Sequence, residues 1–435
     1  MNITVIGTGY VGLVTGACFS KMENKVYCVD IDEEKIEGLK NGVMPIFEPN
    51  LESIILESQK NGDIIFTTNL KEALNDSNII FIAVGTPMNE DGSANLDHIL
   101  EAARDIGKTI SHESLVVVKS TVPVGTSHEI QRTISEISNV EVDIASNPEF
   151  LREGRAVEDF MNPDRIVIGA ENDKAFDTLM ELYSPFTLNQ DQYILMDVKS
   201  SELTKYTANA LLATRISFIN EMAHICEVTG TNIQDIQRGI GSDKRIGHDY
   251  LNAGCGYGGS CLPKDVNALI NMANSNGYDP AILTQVEEVN SNQKNVLVNK
   301  IVDRFGDDLN GLTFGIWGLA FKPGTSDVRK ATSLVVISKL IEKGAKIRAY
   351  DPRATAEFEK AIDEKYLHSI EFVDEKYSAL KDCESMILIT EWKEFENPDF
   401  NLLSDNLNRN IIFDGRNIYD KKINSMGFEL YQIGC

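Results

Sequence analysis

Ile3-Thr4-Val5-Ile6-Gly7-Thr8-Gly9-Tyr10-Val11-Gly12 is the stretch that sets the organisation of this chain. Its first four residues read as a short strand, and its glycines fall at Gly-x-Gly-x-x-Gly spacing before a helical pattern that runs to Lys21. Lys25-Val26-Tyr27-Cys28-Val29-Asp30 follows as a second strand ending on an acid. The glycine spacing alone is a weak signal. Strand, glycine turn, helix, strand and terminal acid together make the βαβ unit that binds dinucleotides. Gly7 then permits the tight turn, Gly9 lets a pyrophosphate approach the backbone, and Gly12 lets the helix pack closely. Tyr10 and Val11 stand at the helix head, where amides receive the phosphates. Asp30 lies where a carboxylate accepts the hydroxyls of the adenosine ribose, and Asp32 adds charge that repels a 2′-phosphate, so NAD is expected rather than NADP.

Further strands are expected at 78–84 and 115–119, and the loops after their carboxyl ends put Thr86 and Thr121 beside the cofactor. Val142 to Ala145 leads into Asn147-Pro148-Glu149-Phe150-Leu151-Arg152-Glu153-Gly154, where two carboxylates four apart orient a substrate, activate water or solvate a turn. Strands at 165–169 and 192–196 complete a first domain, residues 1–198. A long helix over 200–230 and a second helical run over 282–305 form a central region, 199–305, whose apolar stripes suit a dimer interface. Lys205 and Asn209 share a face of the first helix and offer an ammonium and an amide to a developing oxyanion. A second α/β unit, 306–435, repeats the strand–turn–helix–strand order from Leu312, but Gly315 and Gly318 do not make the dinucleotide spacing. Lys322 and Arg416 follow its strands, where a second nucleotide's phosphates could sit. The expected fold class is therefore α/β, with two Rossmann-like doubly wound domains joined by a central helical region with a long helix.

Gly254-Cys-Gly-Tyr-Gly-Gly-Ser-Cys-Leu-Pro-Lys-Asp carries the reactive candidate. The loop delivers Cys261 to the start of a helix, with Lys264 and Asp265 behind it; helix amides and a nearby ammonium both favour a thiolate. The competing reading is a buried structural cysteine.

Composition bounds the setting. A chain of 435 residues, 42% hydrophobic, builds roughly two or three domains. A formal charge of -25 disfavours binding to nucleic acid or an anionic membrane, so an anionic ligand must be met by locally placed cations and helix amides. The N-terminal residues read as neither a signal peptide nor a spanning helix. Seven scattered cysteines fit a reducing cytoplasm, with Cys18, Cys28, Cys226 and Cys383 in core patterns, and no set of residues reads as a metal site.

These motifs, with Lys119-Ser-Thr-Val-Pro-Val-Gly-Thr126, Phe321-Lys322 and Phe413-Asp-Gly-Arg416, resemble the UDP-glucose/GDP-mannose dehydrogenases along the whole length. The resemblance implies a four-electron oxidation of a sugar C6 alcohol to the acid with two NAD+ per substrate, and the central helix is expected to join a homodimer or higher homo-oligomer. It implies that Cys261 forms a thiohemiacetal and then a thioester, that Lys205 and Asn209 stabilise the oxyanion, and that Glu153 with Asp265 positions the hydrolytic water. Either Lys205 or a water held by Asp265 and Thr121 is the first base. NAD contacts carried over are Asp30, Lys35, Thr121, Glu153, Lys264 and Arg329. Sugar-nucleotide contacts are Glu149, Phe150, Leu151, Arg152, Glu153, Lys205, Asn209, Tyr250, Tyr257, Gly258, Phe321, Lys322 and Arg416, and Arg245 matches an arginine that reaches a neighbouring subunit. Glu149 to Ile168 is closest to members acting on UDP-glucose, against GDP-mannose or a UDP-N-acetylhexosamine. A binder without turnover would need no nucleophile at Cys261. Lys330 stands where the family commonly has an acid, which puts the ion pairing of Arg329 in doubt. Cys255 matches no chemical role.

Overall fold

Two parallel sheets organise the protein, whose computed structural model describes residues 1–435. The chain separates into two units, Met1–Ala208 and Asn209–Cys435, and the division falls inside one long helix, Val198–Thr229.

In the first unit, β1 (Asn2–Ile6), β2 (Lys25–Val29), β3 (Ile64–Thr67), β4 (Ile79–Ile82), β5 (Ser114–Val118), β6 (Val142–Ser146), β7 (Ile166–Ala170) and β8 (Tyr193–Met196) lie in the order β3-β2-β1-β4-β5-β6-β7-β8. Every neighbouring pair is parallel except β6 and β7. Strands β4 and β5 are buried along their whole length, as expected when helices cover both faces of a parallel sheet. The order reverses at β1, between β2 and β4, and the loops leaving that point form the ligand crevice of such sheets.

The glycines of the first turn act there as their spacing implies. Gly7 has φ +96°, and a Cβ on it would stand 2.7 Å from the Ala83 carbonyl oxygen. On Gly12 a Cβ would lie 1.9 Å from the Gly7 carbonyl oxygen, so helix Tyr10–Lys21 can seat against the turn only without a side chain. Around Gly9 nothing lies within 4 Å of that position, which leaves the backbone open to a ligand. Farther along, Phe19 packs its ring 5.2 to 5.3 Å from those of Phe81, Phe160 and Tyr183, contacts worth about 0.5–1.5 kcal/mol each beyond area burial.

In the second unit, β9 (Thr313–Trp317), β10 (Lys346–Tyr350), β11 (Ile370–Phe372), β12 (Ser385–Leu388), β13 (Ile411–Asp414) and β14 (Glu429–Tyr431) form an all-parallel sheet in the order β11-β10-β9-β12-β13-β14. The reversal falls at β9, the counterpart of β1. The acid after β10 behaves unlike Asp30, however. Asp351 is buried; one oxygen accepts from the amides of Leu319 (2.7 Å) and Ala320 (3.0 Å), and the other from those of Arg353 and Ala354, both at 2.8 Å. Its acceptor capacity ties off the strand ends and leaves none for a ribose.

The helical run expected over 282–305 is two helices, Ala281–Gln293 and Val296–Phe305. Asn295 causes the break. Its side-chain amide donates to the Ser291 carbonyl at 3.1 Å, the acceptor its own backbone amide would use, and that amide turns instead to Asn292 at 3.0 Å. On the long helix, Leu211, Phe218 and Ile225 recur every seven residues and are exposed. No helix is long and apolar enough to cross a membrane.

Candidate active site

In the first unit, Asp30 receives the backbone amide and hydroxyl of Thr8 at 2.8 and 2.7 Å, and the Lys35 ammonium at 3.1 Å. Burial would raise its carboxyl, but the Thr8, Asp32 and Lys35 donors hold it below the usual range, so Asp30 is an anion fit to accept ribose hydroxyls. The Thr86 hydroxyl donates to the Thr121 carbonyl at 2.8 Å, which joins the two loops that sequence reading placed beside the cofactor. These features fit a dinucleotide: an open backbone at Gly9, an oriented acid at Asp30, and loops held together at the carboxyl ends of the strands.

The segment after β6 is built around buried charge. Lys205, on the long helix, places its ammonium 3.1 Å from Glu149, and both are buried. The other Glu149 oxygen accepts from the Leu151 amide at 2.6 Å. Phe150 lies beside this pair, its ring 5.2 Å from the Lys205 nitrogen and 4.0 Å from the Arg165 guanidinium. Arg152 turns to Asp159, with its side chain bonded at 3.0 and 2.5 Å. The first residue of the segment is anchored from below: the Asn147 side-chain oxygen accepts from Lys119 at 3.0 Å and from the Tyr183 hydroxyl at 2.6 Å. Burial pulls the Lys119 ammonium down to about 8; Glu149 opposes this and the Lys205 charge adds to it. Glu202, also on the long helix, accepts from the amides of Gly125 (2.6 Å) and Ser127 (2.7 Å) and so fixes the end of the Thr121 loop.

In the second unit, Cys261 is exposed at the N-cap of helix Leu262–Ser275. Unpaired amides at the head of a helix of this length favour an anion. One turn in, Asp265 is buried; one of its oxygens takes the Lys264 ammonium at 2.5 Å and the other the Asn209 amide at 2.6 Å. Asn209 lies one turn beyond Lys205 on the long helix, and the bond to Asp265 fixes where its second amide hydrogen points.

The glycine loop before Cys261 is strapped to the strand ends of the second sheet. The Cys255 amide donates to the Gly415 carbonyl at 2.9 Å, and the Gly259 amide to that of Arg329 at 2.7 Å. A Cβ on Gly258 would come within 2.4 Å of the Lys330 carbonyl oxygen, and one on Gly259 within 2.7 Å of the Phe321 ring. Arg416 reaches the carbonyls of Ile389 (2.7 Å) and Gly256 (3.3 Å), and its guanidinium stands 3.2 Å from Glu391. Lys322 lies 5.5 Å over the Phe321 ring. The Tyr257 hydroxyl donates to Glu287, whose carboxyl burial pushes up. Tyr250 holds φ +59°, a left-handed backbone costing a non-glycine residue about 1–3 kcal/mol. Arg329 pairs with Asp327 at 2.7 Å, so an ion pair forms without an acid at position 330. Exposed Arg245 pairs with Asp243 at 2.5 Å. Cys255 is buried beneath the loop.

Three family models match the chain in order: the NAD binding domain of the UDP-glucose/GDP-mannose dehydrogenase family at residues 1–187, its central domain at 199–292 and its UDP binding domain at 315–421. The chain belongs to the UDP-glucose/GDP-mannose dehydrogenase family. Among dehydrogenases of this family, it is 46% identical to a UDP-glucose 6-dehydrogenase of Pseudomonas aeruginosa, over 100% of this chain and 97% of that one. It is 44% identical to UDP-glucose 6-dehydrogenase YwqF of Bacillus subtilis, over 100% and 98%. A solved UDP-glucose dehydrogenase from Pyrobaculum islandicum superimposes with a TM-score of 0.91 at 36% identity, over 99% of this chain and 97% of that one. The NAD binding match takes in β1 to β7 of the first sheet, and the UDP binding match takes in most of β9 and all of β10 to β13 of the second.

Sequence reading passed over Glu48, the anchoring role of Lys119, and Glu202. Glu48 lies in a loop, Lys119 ends an apolar strand and Glu202 sits in a polar stretch of the long helix, and only the fold reveals their partners. Lys119 yields a pH test. Because its folded-state value is depressed from 10.5 to about 8, the unfolded chain holds more protons between those values, and stability rises with pH across that window. Wild type should therefore gain roughly 2 kcal/mol on Lys119→Met as pH rises through the window. Urea unfolding of both proteins at pH 7.5 and 9.5 checks this, and a difference that does not move with pH contradicts a buried, strained ammonium.

Proposed function

We propose that the protein oxidises the C6 alcohol of UDP-glucose to the carboxylate of UDP-glucuronate, as a cytoplasmic UDP-glucose 6-dehydrogenase. The observation that carries the chemistry is Cys261, an exposed thiol at a helix head on a loop strapped to the strand ends of the UDP binding domain. Oxidation of an aldehyde to an acid by hydride loss needs a tetrahedral adduct, and a thiol supplies one. The full-length similarity to UDP-glucose 6-dehydrogenases supports the choice of sugar.

The segments 1–198, 199–305 and 306–435 are assigned to NAD binding, to the helical and cysteine-bearing region, and to UDP-sugar binding. Gly7 to Gly12, Asp30, Lys35, Thr86, Thr121 and Glu153 would hold NAD, with Lys264 and Arg329 as further contacts; bound NAD+ supplies the hydride acceptor for each oxidation. Glu149 to Glu153, Lys205, Asn209, Tyr250, Tyr257, Gly258, Phe321, Lys322 and Arg416 bind the sugar nucleotide. Arg245 serves a neighbouring subunit.

The C6 hydroxyl gives its proton to a base as a hydride leaves carbon, forming the aldehyde. Lys205 is held by Glu149 as a cation, which favours a water on Asp265 as that base. The Cys261 sulfur then adds to the aldehyde carbon, and the Lys205 ammonium and Asn209 amide stabilise the resulting oxyanion. A second hydride leaves, the oxygen re-forms its double bond, and a thioester results. Water, losing its proton to Glu153, adds to that carbonyl; the carbon–sulfur bond breaks, returning the thiolate and releasing the acid.

Purified protein should form about two NADH per UDP-glucose with little free aldehyde, read at 340 nm, because the intermediate stays covalently bound. One NADH per sugar, or faster turnover of GDP-mannose, contradicts the assignment. Cys261→Ser should keep affinity for NAD+ and UDP-glucose in calorimetry yet lose steady acid production; near wild-type production would remove the covalent role.

Leu211, Phe218 and Ile225 form the stripe through which two copies associate, since a helix of soluble protein does not leave a seven-residue apolar repeat bare. Phe218→Glu should lower the sedimentation coefficient to that of a smaller assembly. An unchanged coefficient places the interface elsewhere.

A further inference from the structure

Glu48 closes Val43-Met-Pro-Ile-Phe-Glu48, part of the loop that follows helix Glu33–Lys40, and has no role given above. It is buried, and a buried carboxylate is costly unless its oxygens are satisfied. Here they are. One oxygen accepts from the Tyr10 hydroxyl and from the Gly154 amide at 2.8 Å; the other accepts from the Ala156 amide at 2.8 Å. The Gly154 amide also reaches the Tyr10 hydroxyl at 3.0 Å. One carboxylate therefore joins the head of the dinucleotide helix, at Tyr10, to the end of the Glu149–Gly154 segment. Gly154 has φ +83°, a left-handed turn that glycine adopts without strain, and the Glu48 carboxylate bonds its amide there. Glu153 stands immediately before it, close enough for its charge to act on Tyr10; the tyrosine hydroxyl is held against ionisation chiefly by burial and by Glu48, with Glu153 adding.

We propose that Glu48 is a positioning residue: by clamping Gly154 and Ala156 to Tyr10 it sets the stance of Glu153 against the dinucleotide turn, and so governs thioester hydrolysis rather than the hydride steps. The inference rests on the function proposed above, in which Glu153 takes the proton of the attacking water, the water oxygen bonds to the carbonyl carbon and the Cys261 sulfur leaves. A generic structural bond would lower all steps together. A clamp on Glu153 slows the last one selectively.

The test is Glu48→Gln, which keeps shape but presents an amide donor where the carboxylate accepts from two sides. Its kcat should fall about tenfold or more, since small displacements of a catalytic group are costly, and NADH should appear in a rapid burst followed by slow turnover. Intact mass of acid-quenched enzyme should then show the sugar-nucleotide adduct on Cys261. An unchanged kcat overturns the proposal, and so does a reduced kcat without adduct. Should Glu48→Gln fail to fold, Tyr10→Phe, which removes one arm of the clamp, is read by the same two criteria. Wild type run in parallel reports on the function itself: its failure to give two NADH per UDP-glucose removes that reading, whereas wild-type success with an adduct-free variant removes only the role of Glu48.

Discussion

Close backbone contact in the glycine loop is the constraint on which the rest of the second unit depends. The loop from Gly254 to Gly259 passes the chain at Lys330 and Gly415 and the ring of Phe321 at distances that exclude a Cβ at Gly258 and Gly259. Because those neighbours leave the carboxyl ends of β9 and β13, the thiol is placed by the same strand ends that make the nucleotide crevice of such sheets. A side chain at Gly258 or Gly259 would lift the chain leading to Cys261 away from that framework. The same packing explains why the two cysteines of the loop differ. Cys255 lies under the strap with its amide bonded to Gly415, and Cys261 emerges beyond it at the head of a helix.

The first unit solves a different problem, that of keeping charges buried and aimed. Glu149 is shared by Lys205 at contact distance and by the field of Lys119, so two buried ammonium groups meet one carboxylate. Such an arrangement is unfavourable to folding on its own terms. It persists because hydrogen bonds fix each member: Leu151 on Glu149, Asn147 on Lys119. The result is orientation, since a buried ammonium paired with one carboxylate is held in a fixed place before any ligand arrives.

How much of this was legible in the sequence follows from which interactions are local. Gly7, Gly9, Gly12 and Asp30 lie within one βαβ unit, so the turn they build was legible from strand, glycine spacing, helix and terminal acid together, and Cys261 followed by a helical pattern gave the N-cap. Lys205 and Asn209 were legible as a face of one helix, but their partners, Glu149 and Asp265, lie 56 residues away in sequence in each case, by subtraction of the residue numbers. Glu48 was invisible for the same reason, its bond to Ala156 spanning 108 residues. Two local readings yielded to competing local chemistry. The helix expected through 305 is broken by the Asn295 side chain, and the pairing of Arg329, doubted for want of an acid at position 330, is met by Asp327 two residues before it.

The second sheet repeats the topology of the first without its dinucleotide spacing, and Asp351 shows in physical terms why a shared fold carries a different ligand. At the corresponding point of the first sheet, Asp30 takes Thr8 and Lys35 on one oxygen and only the Asp32 amide, at 3.1 Å, on the other, and is held anionic. Asp351 spends both oxygens on four backbone amides, and the Trp392 indole donates to it at 3.1 Å, so it serves as a structural knot. With a chain charge of -25, the placement of the cations after the strands of this sheet matters. Surface carboxylates farther than about 8 Å are screened at physiological ionic strength, whereas a guanidinium held on carbonyl oxygens is not. Arg416 is held by the Ile389 carbonyl after β12 and the Gly256 carbonyl of the Cys261 loop, with Glu391 3.2 Å away. An acidic protein can therefore receive an anionic nucleotide without a basic surface, provided the few cations that meet it are fixed by the fold.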